Sequence, residues 1–311
     1  MADQLSDEDP IKSLWDGVLP ERYHELMDLL DQHSAQFRAL EDHSGFNLRA
    51  GAYRAIQYTE RSLRQLCLFG YGGMISLHCY SSFIAILHES GQNLDISAMD
   101  AIPEQSEVNQ TFTQLMQAIE ELKTSFGEAD FVWPEAIPNP LDGRPVDSEG
   151  ALVFDLTCVA ATYFTLHELK HVLFQSEGNA PMNPWEEEKA CDAFAVEMIL
   201  GQTEIYSQKS GFPEATVKEK RAMGIALALI FLLFMTPQRL VSGSATHPPI
   251  HARWFSVIRN IDLKEDGHFW LYFASLAISL LRFKGVEVLP IPFASYKDLS
   301  FKLVQMLEDA I

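Results

Sequence analysis

The pentapeptide "HELKH", residues 167–171, decides how this chain is read, because it sits inside a helical pattern that runs over 150–176. Residues four apart on a helix lie one above the other, so His167 and His171 share a face. Two imidazoles so placed can reach one tetrahedral zinc ion. Glu168 points into a neighbouring sector, where it can take a proton from water on the metal instead of binding the ion. At about 100° per residue, the histidines fall on a stripe with Val153, Leu156, Ala160, Tyr163, Phe164 and Phe174. That stripe is apolar, which disfavours a salt-bridged surface helix. Two imidazoles on it are costly unless hydrogen-bonded or ligated. The readings left are a metal site and a buried, hydrogen-bonded histidine pair.

A catalytic zinc usually takes three protein ligands plus water. The candidates for the third lie in "NPWEEEKACDAFAVEM", residues 183–198. Asn183 can cap a helix, Pro184 suits its first position, and Glu186 completes an N-x-x-E box. Glu186 and Glu187 also favour the positive end of the helix dipole. On the wheel Glu186, Lys189 and Glu197 mark the solvent side, whereas Glu188 groups with Asp192, Ala195 and Ile199. Glu188 is therefore the first choice for third ligand and Glu187 its rival. Asp192, one turn after Glu188, can accept a hydrogen bond from a ligating histidine.

Further on, "THPPIHARW", residues 246–254, places His247 just before a helix that opens at Pro248 or Pro249. A fixed imidazole or guanidinium near the metal, from His247 or Arg253, could stabilise the oxyanion of a tetrahedral intermediate. The alternative is that Arg253 pairs with one of the many carboxylates and that His251 packs.

Outward from these blocks, helical patterns over 184–201, 214–236, 248–260 and 267–283 make the C-terminal half mostly α. Residues 10–42, 52–69 and 104–126 also read as helical, "GYGG" at 70–73 as a breaker, and 74–88 as strand or helix. Strands are expected in the first half and around "GVEVLPIPF", 285–293. The expected fold is mainly α (α+β), with a small sheet and an N-terminal mixed region. Four prolines within 131–150 mark the best boundary. The division is an acidic disordered tail over 1–10, a mixed α/β region over 11–145 that could bind substrate or a partner, and a helical catalytic region over 146–311.

The formal charge of -20 and pI of about 4.8 disfavour nucleic-acid partners and anionic membrane surfaces. The apolar run 222–236 is shorter than the about 20 residues of a span, and reads as a core helix, as does 268–283. The start lacks the pattern of a secretory signal, and Cys67, Cys79, Cys158 and Cys191 form no C-x-x-C pair. Reduced cysteines and a cytoplasmic location are expected.

Taken in order, "HELKH", "EKACDAFA" and "HPPIHAR" resemble the gluzincin metallopeptidases, which carry H-E-x-x-H, E-x-x-x-D and a later H-P block followed by arginine. The first two blocks are also similar to ImmA/IrrE-type peptidases, and the third to membrane-embedded HtpX-type peptidases, whose long spans this chain lacks. "HELKHVLFQSEGNAPMNPWEEEKACDAFA" most resembles the Lit family of phage-exclusion peptidases. The resemblance covers roughly residues 150–260 and implies a zincin-like core built on the H-E-x-x-H helix. It implies Zn2+ held by His167, His171 and Glu188, Glu168 as general base, Asp192 as support for a ligand, and His247 and Arg253 at the oxyanion. It leaves His251 without a role. The implied activity is that of a narrow-specificity zinc endopeptidase in phage defence. The implied substrate is a protein, either a translation elongation factor, as for the family's best-known member, or a regulator, as for the ImmA type. A non-catalytic zinc-binding regulatory protein is the alternative from another class.

Overall fold

The computed structural model describes residues 9–41, 45–100, 103–125, 131–259 and 261–309. Helix α1 (Pro10–Val18) starts at Asp9, whose carboxylate accepts from Ile11 N–H. Residues 9 and 10, expected in a disordered tail, therefore belong to a capped helix start; the rest of that tail lies outside the described residues. Next come α2 (Tyr23–His33), β1 (Gln36–Ala39), β2 (Leu48–Ala50) and β3 (Ala55–Tyr58). β3 is central: β1 pairs with it in parallel, from Gln36↔Ala55 to Ala39↔Tyr58, and β2 antiparallel, from Leu48↔Tyr58 to Ala50↔Ile56. The helical reading of 10–42 and 52–69 thus breaks where these strands lie. They are three or four residues long, too short for a period to declare itself.

Helix α3 (Glu60–Glu89) corrects a second expectation, since "GYGG" runs unbroken through its middle. These glycines serve packing. A Cβ at Gly70 would meet Thr157 Oγ1 at 2.5 Å and one at Gly72 would meet Met116 Cε at 2.8 Å. A Cβ at Gly73 would collide with the hydroxyl of Tyr272. Their neighbours lie on α5 (Pro103–Thr124), α6 (Ser148–Glu177) and α12 (His268–Phe283), so three helices approach α3 at its glycines. The short α4 (Ile96–Asp100) precedes α5.

The remaining helices are α7 (Pro184–Leu200), α8 (Thr203–Ser210), α9 (Glu214–Met235), α10 (Gln238–Val241), α11 (Ile250–Ile258) and α13 (Tyr296–Asp309). The protein is mostly helical with a small three-stranded sheet. Around 285–293, where a strand was expected, the described residues show a single β-bridge, Leu94↔Ile291. The loop over 131–150 carries one 3-10 turn, Pro140–Asp142.

Helix α6 is the axis of the fold. It is capped by Asp147, which accepts from Gly150 N–H, and ends at Gly178, whose φ of 67° suits glycine. It packs against α1, α3, α7, α9 and β2, and is apolar nearly all round, as a fully enclosed helix should be. It is also the one described helix long and apolar enough to cross a membrane, but 72% of that window is buried in the fold. Residues from both sides of position 146 share one buried cluster, in which Phe231 meets Phe69 and Phe164, and the half-buried Phe46 packs on Phe164 and Phe231. A bidentate pair ties the N-terminus to the helical half. Arg221 Nη1 and Nη2 donate to the Glu21 carboxylate, and also to the carbonyls of Ile199 and Val18. All four cysteines are free thiols.

Candidate active site

The site forms where α6 and α7 face each other, with α11 closing one side and β2 the other. α7 enters as its sequence suggests: Asn183 Oδ1 accepts from Trp185 N–H and Pro184 takes the first turn. Glu186 faces solvent and pairs with Lys189. Glu188 and Asp192 turn inward and are 5% and 1% exposed. His167 is equally buried, and His171 lies at the edge of the cleft.

Each imidazole is held from behind by a carboxylate. His167 Nδ1 lies 2.9 Å from Asp192 Oδ1, and His171 Nδ1 lies 2.8 Å from Glu187 Oε1. Those bonds leave both Nε2 atoms facing forward. They converge on Glu188, with His167 Nε2 3.4 Å from Oε2 and His171 Nε2 3.4 Å from Oε1. Arg253, at the start of α11, grips the carboxylates from below. Its Nε and Nη2 donate to Asp192 at 3.0 and 2.7 Å, and its Nη1 lies 3.2 Å from Glu188 Oε2. Tyr163, one turn before His167, donates to Asp192 Oδ1 at 2.7 Å.

His247 stands at the open lip with its side chain 60% exposed, and its Nε2 is 3.4 Å from Glu188 Oε1. Its Nδ1 meets Thr246 Oγ1 at 2.8 Å, and its own N–H donates to Ser244 Oγ. The helix after it starts at Ile250 with Pro249 as cap, one or two residues later than the expected start at Pro248 or Pro249. Glu168 projects to the opposite wall, where its Oε2 accepts from Ala50 N–H of the edge strand β2. His251 points away and lies 3.1 Å from Glu308 on α13, so it is not part of the cleft. The cleft measures about 550 Å³ and is lined by the three histidines, Glu168, Glu187, Glu188, Arg253 and β2.

The charges interlock. Burial alone would lower both imidazoles, but the carboxylates outweigh it. Asp192 and Glu188 push His167 up to about 9, and Glu188, Glu168 and Glu187 do the same for His171. Burial would raise Glu188, yet His167, His171 and Arg253 hold it well below the usual carboxylate range. Asp192 is held low against its burial by Arg253 and His167. Tyr163 is pushed well up by burial and the Asp192 charge, so it stays a donor.

This donor set fits a divalent metal. Glu188 Oε2 is a buried, ionised carboxylate oxygen that makes no well-aligned hydrogen bond, although Arg253 Nη1 lies 3.2 Å and His167 Nε2 3.4 Å from it. Arg253 offsets part of its charge, and a metal ion held with both Nε2 atoms would complete its shell. Ligands about 2.0–2.2 Å from zinc at tetrahedral angles lie about 3.4 Å apart, the separation of each Nε2 from the nearer Glu188 oxygen. Carboxylates behind both rings fix the tautomers and ring planes that ligation requires. A second donor set is present: a ligand atom from each of His167, His171 and Cys191 lies within 4.8 Å of the others. Burial pushes the Cys191 thiol up to about 12, so a metal bound there would have to displace its proton, whereas Glu188 is held ionised.

Two roles escaped the sequence reading. Glu187 holds His171 from behind, a role its place in the first helical turn concealed. Tyr163 was placed on the apolar stripe, and only its hydroxyl, four residues before His167, hinted at a polar partner.

Comparison with known sequences defines the class: the chain is a peptidase, a hydrolase of peptide bonds. It belongs to the peptidase U49 family, whose profile matches residues 56–273 and so spans the H-E-x-x-H helix, α7 and α11. It is 22% identical to the cell death peptidase of Escherichia coli (strain K12) over 246 residues, 78% of this chain and 76% of that relative. No solved structure matches. The family agrees with the Lit resemblance drawn from the three sequence blocks, and a peptidase acts on proteins or peptides.

Proposed function

We propose that the protein is a zinc-dependent endopeptidase of zincin-like design, with His167, His171 and Glu188 as metal ligands. The observation that carries this reading is the convergence of both Nε2 atoms on Glu188 while both Nδ1 atoms are tied to carboxylates. Zinc held there supplies the Lewis-acid charge that makes water acidic near neutral pH and draws electrons from a carbonyl. Glu168 takes the proton of the attacking water and passes it to the leaving amine. Its bond from Ala50 N–H occupies one oxygen and keeps the other turned to the cleft. An extended substrate chain fits beside β2, the edge strand that lines the cleft. His247, at the lip, donates to the oxygen that becomes anionic. Arg253 acts through Glu188 and Asp192, holding both in place.

The relative's name, cell death peptidase, supports a reading in which cleavage harms the cell that makes the enzyme. The substrate is then one host protein, a translation elongation factor or a regulator, and the N-terminal region selects it. The experiment compares new protein N-termini in cells expressing the wild type and Glu168→Gln. A discrete set of cleavages with the first and none with the second supports the reading. Identical sets would contradict it. A His167–His171–Cys191 metal site is the second reading, and Cys191→Ser separates the two: zinc is kept if Glu188 is the ligand and lost if Cys191 is.

A further inference from the structure

Away from the catalytic cleft, a larger cavity of about 800 Å³ lies between α1, the first half of α6 and α9. That is within the roughly 300–1,000 Å³ of small-molecule sites. Its walls are apolar over most of their extent, with Ile11, Leu14, Val18, Leu63, Phe154 and Val217 among them. Three of its four charged lining groups are gathered in one cluster. Asp155 accepts from Arg144 Nε at 2.7 Å and Nη2 at 3.0 Å, and from Lys220 Nζ at 2.6 Å. One carboxylate is thus shared by two cations, which leaves an excess positive charge on a chain whose formal charge is -20. The other lining cation, Arg221, is matched by Glu21.

We propose that this cavity binds a single-chain amphiphile with a carboxylate head, of the fatty-acid class. Its tail occupies the apolar walls and its head the Arg144–Lys220 cluster. A peptide suits the space poorly, because its backbone needs polar partners along its whole length and the walls are mostly apolar. The two cations match a carboxylate, and guanidinium presents paired donors to it. Residues 154–161 of α6 line this cavity and residues 164–175 line the catalytic cleft, so the two sites share one helix without overlapping.

The test is calorimetric titration of the full chain with laurate and with dodecanol, each below its aggregation concentration. Saturable laurate binding is expected, with dodecanol at least about tenfold weaker. Gly17→Phe places the site. Gly17 lines the cavity in α1, and a Cβ there meets nothing within 4 Å, so a ring can be added beside the cavity without a backbone clash. It should abolish laurate binding. Arg144→Gln with Lys220→Gln should weaken laurate by about tenfold and leave dodecanol unchanged, and Asp155→Asn, which frees both cations, should tighten laurate. Equal affinity for the acid and the alcohol, no saturable binding, or wild-type affinity in Gly17→Phe overturns the proposal.

Discussion

Glu187 Oε1 accepts a hydrogen bond from His171 Nδ1 at 2.8 Å, the counterpart of the bond between Asp192 and His167. Each proposed histidine ligand therefore has its own orienting carboxylate, and consecutive glutamates divide two tasks. Glu187 holds a ring from behind, and Glu188 faces both rings from the front. Glu187→Ala should weaken zinc binding by about 10–100-fold without abolishing it. Zinc competition against a chromogenic chelator measures this, and unchanged affinity would show that the bond has no role in ligation.

Arg253 faces two buried carboxylates, and its removal leaves both without that cation. Arg253→Met should destabilise the metal-free protein by about 3–5 kcal/mol, the usual result of breaking a buried ion pair from one side. Arg253→Lys keeps the charge but not the forked donation to Asp192, and should fall between. Urea unfolding checks both. A loss below about 0.5 kcal/mol for the methionine variant, within the range of ordinary surface changes, would contradict the arrangement.

Acid and base act on the metal-free site in opposite senses. His167 and His171 are pushed up to about 9, above the roughly 6.5 of a free imidazole. Their contribution to stability is complete below about 6.5 and is lost as pH rises through about 9. Glu188 and Asp192 are lowered, so their contribution is present above the usual carboxylate range near 4 and is lost as pH falls further. Zinc requires both rings neutral and must displace protons, so its affinity should climb from about pH 7 to 9 and then level. Zinc titrations across that range test the point; a flat profile would mean the rings are already neutral.

Gly73 lies where α3 meets Tyr272 of α12, and a side chain there collides with the phenol. Gly73→Val should cost about 1–3 kcal/mol as an overpacked contact. Gly91→Ala, a loop-side control with φ of 64° and open space around it, should cost less, about 1 kcal/mol of backbone strain alone. Equal losses would remove close packing as the reason for glycine at position 73.

These variants also show where the sequence was legible. The long helices declared themselves, and wheel geometry separated the outward Glu186 from the inward Glu188 and Asp192. What failed was local punctuation read without tertiary context. "GYGG" is a breaker in an exposed chain, yet between Thr157, Met116 and Tyr272 it is a surface that lets helices meet. The short strands β1, β2 and β3 carried too few residues for alternation, so the edge that holds Glu168 stayed hidden. Glu187 was legible as a dipole-favouring residue and as the rival third ligand, but not as the partner of His171 Nδ1.

The central claim is that His167, His171 and Glu188 hold one zinc ion for a reaction in which Glu168 moves the proton. Metal content of carefully purified wild type, Glu168→Gln and Glu188→Ala tests it most directly. The account predicts about one zinc per chain in the first two and close to none in the third. A wild type without zinc, or a Glu188→Ala protein that keeps a full complement, would contradict it.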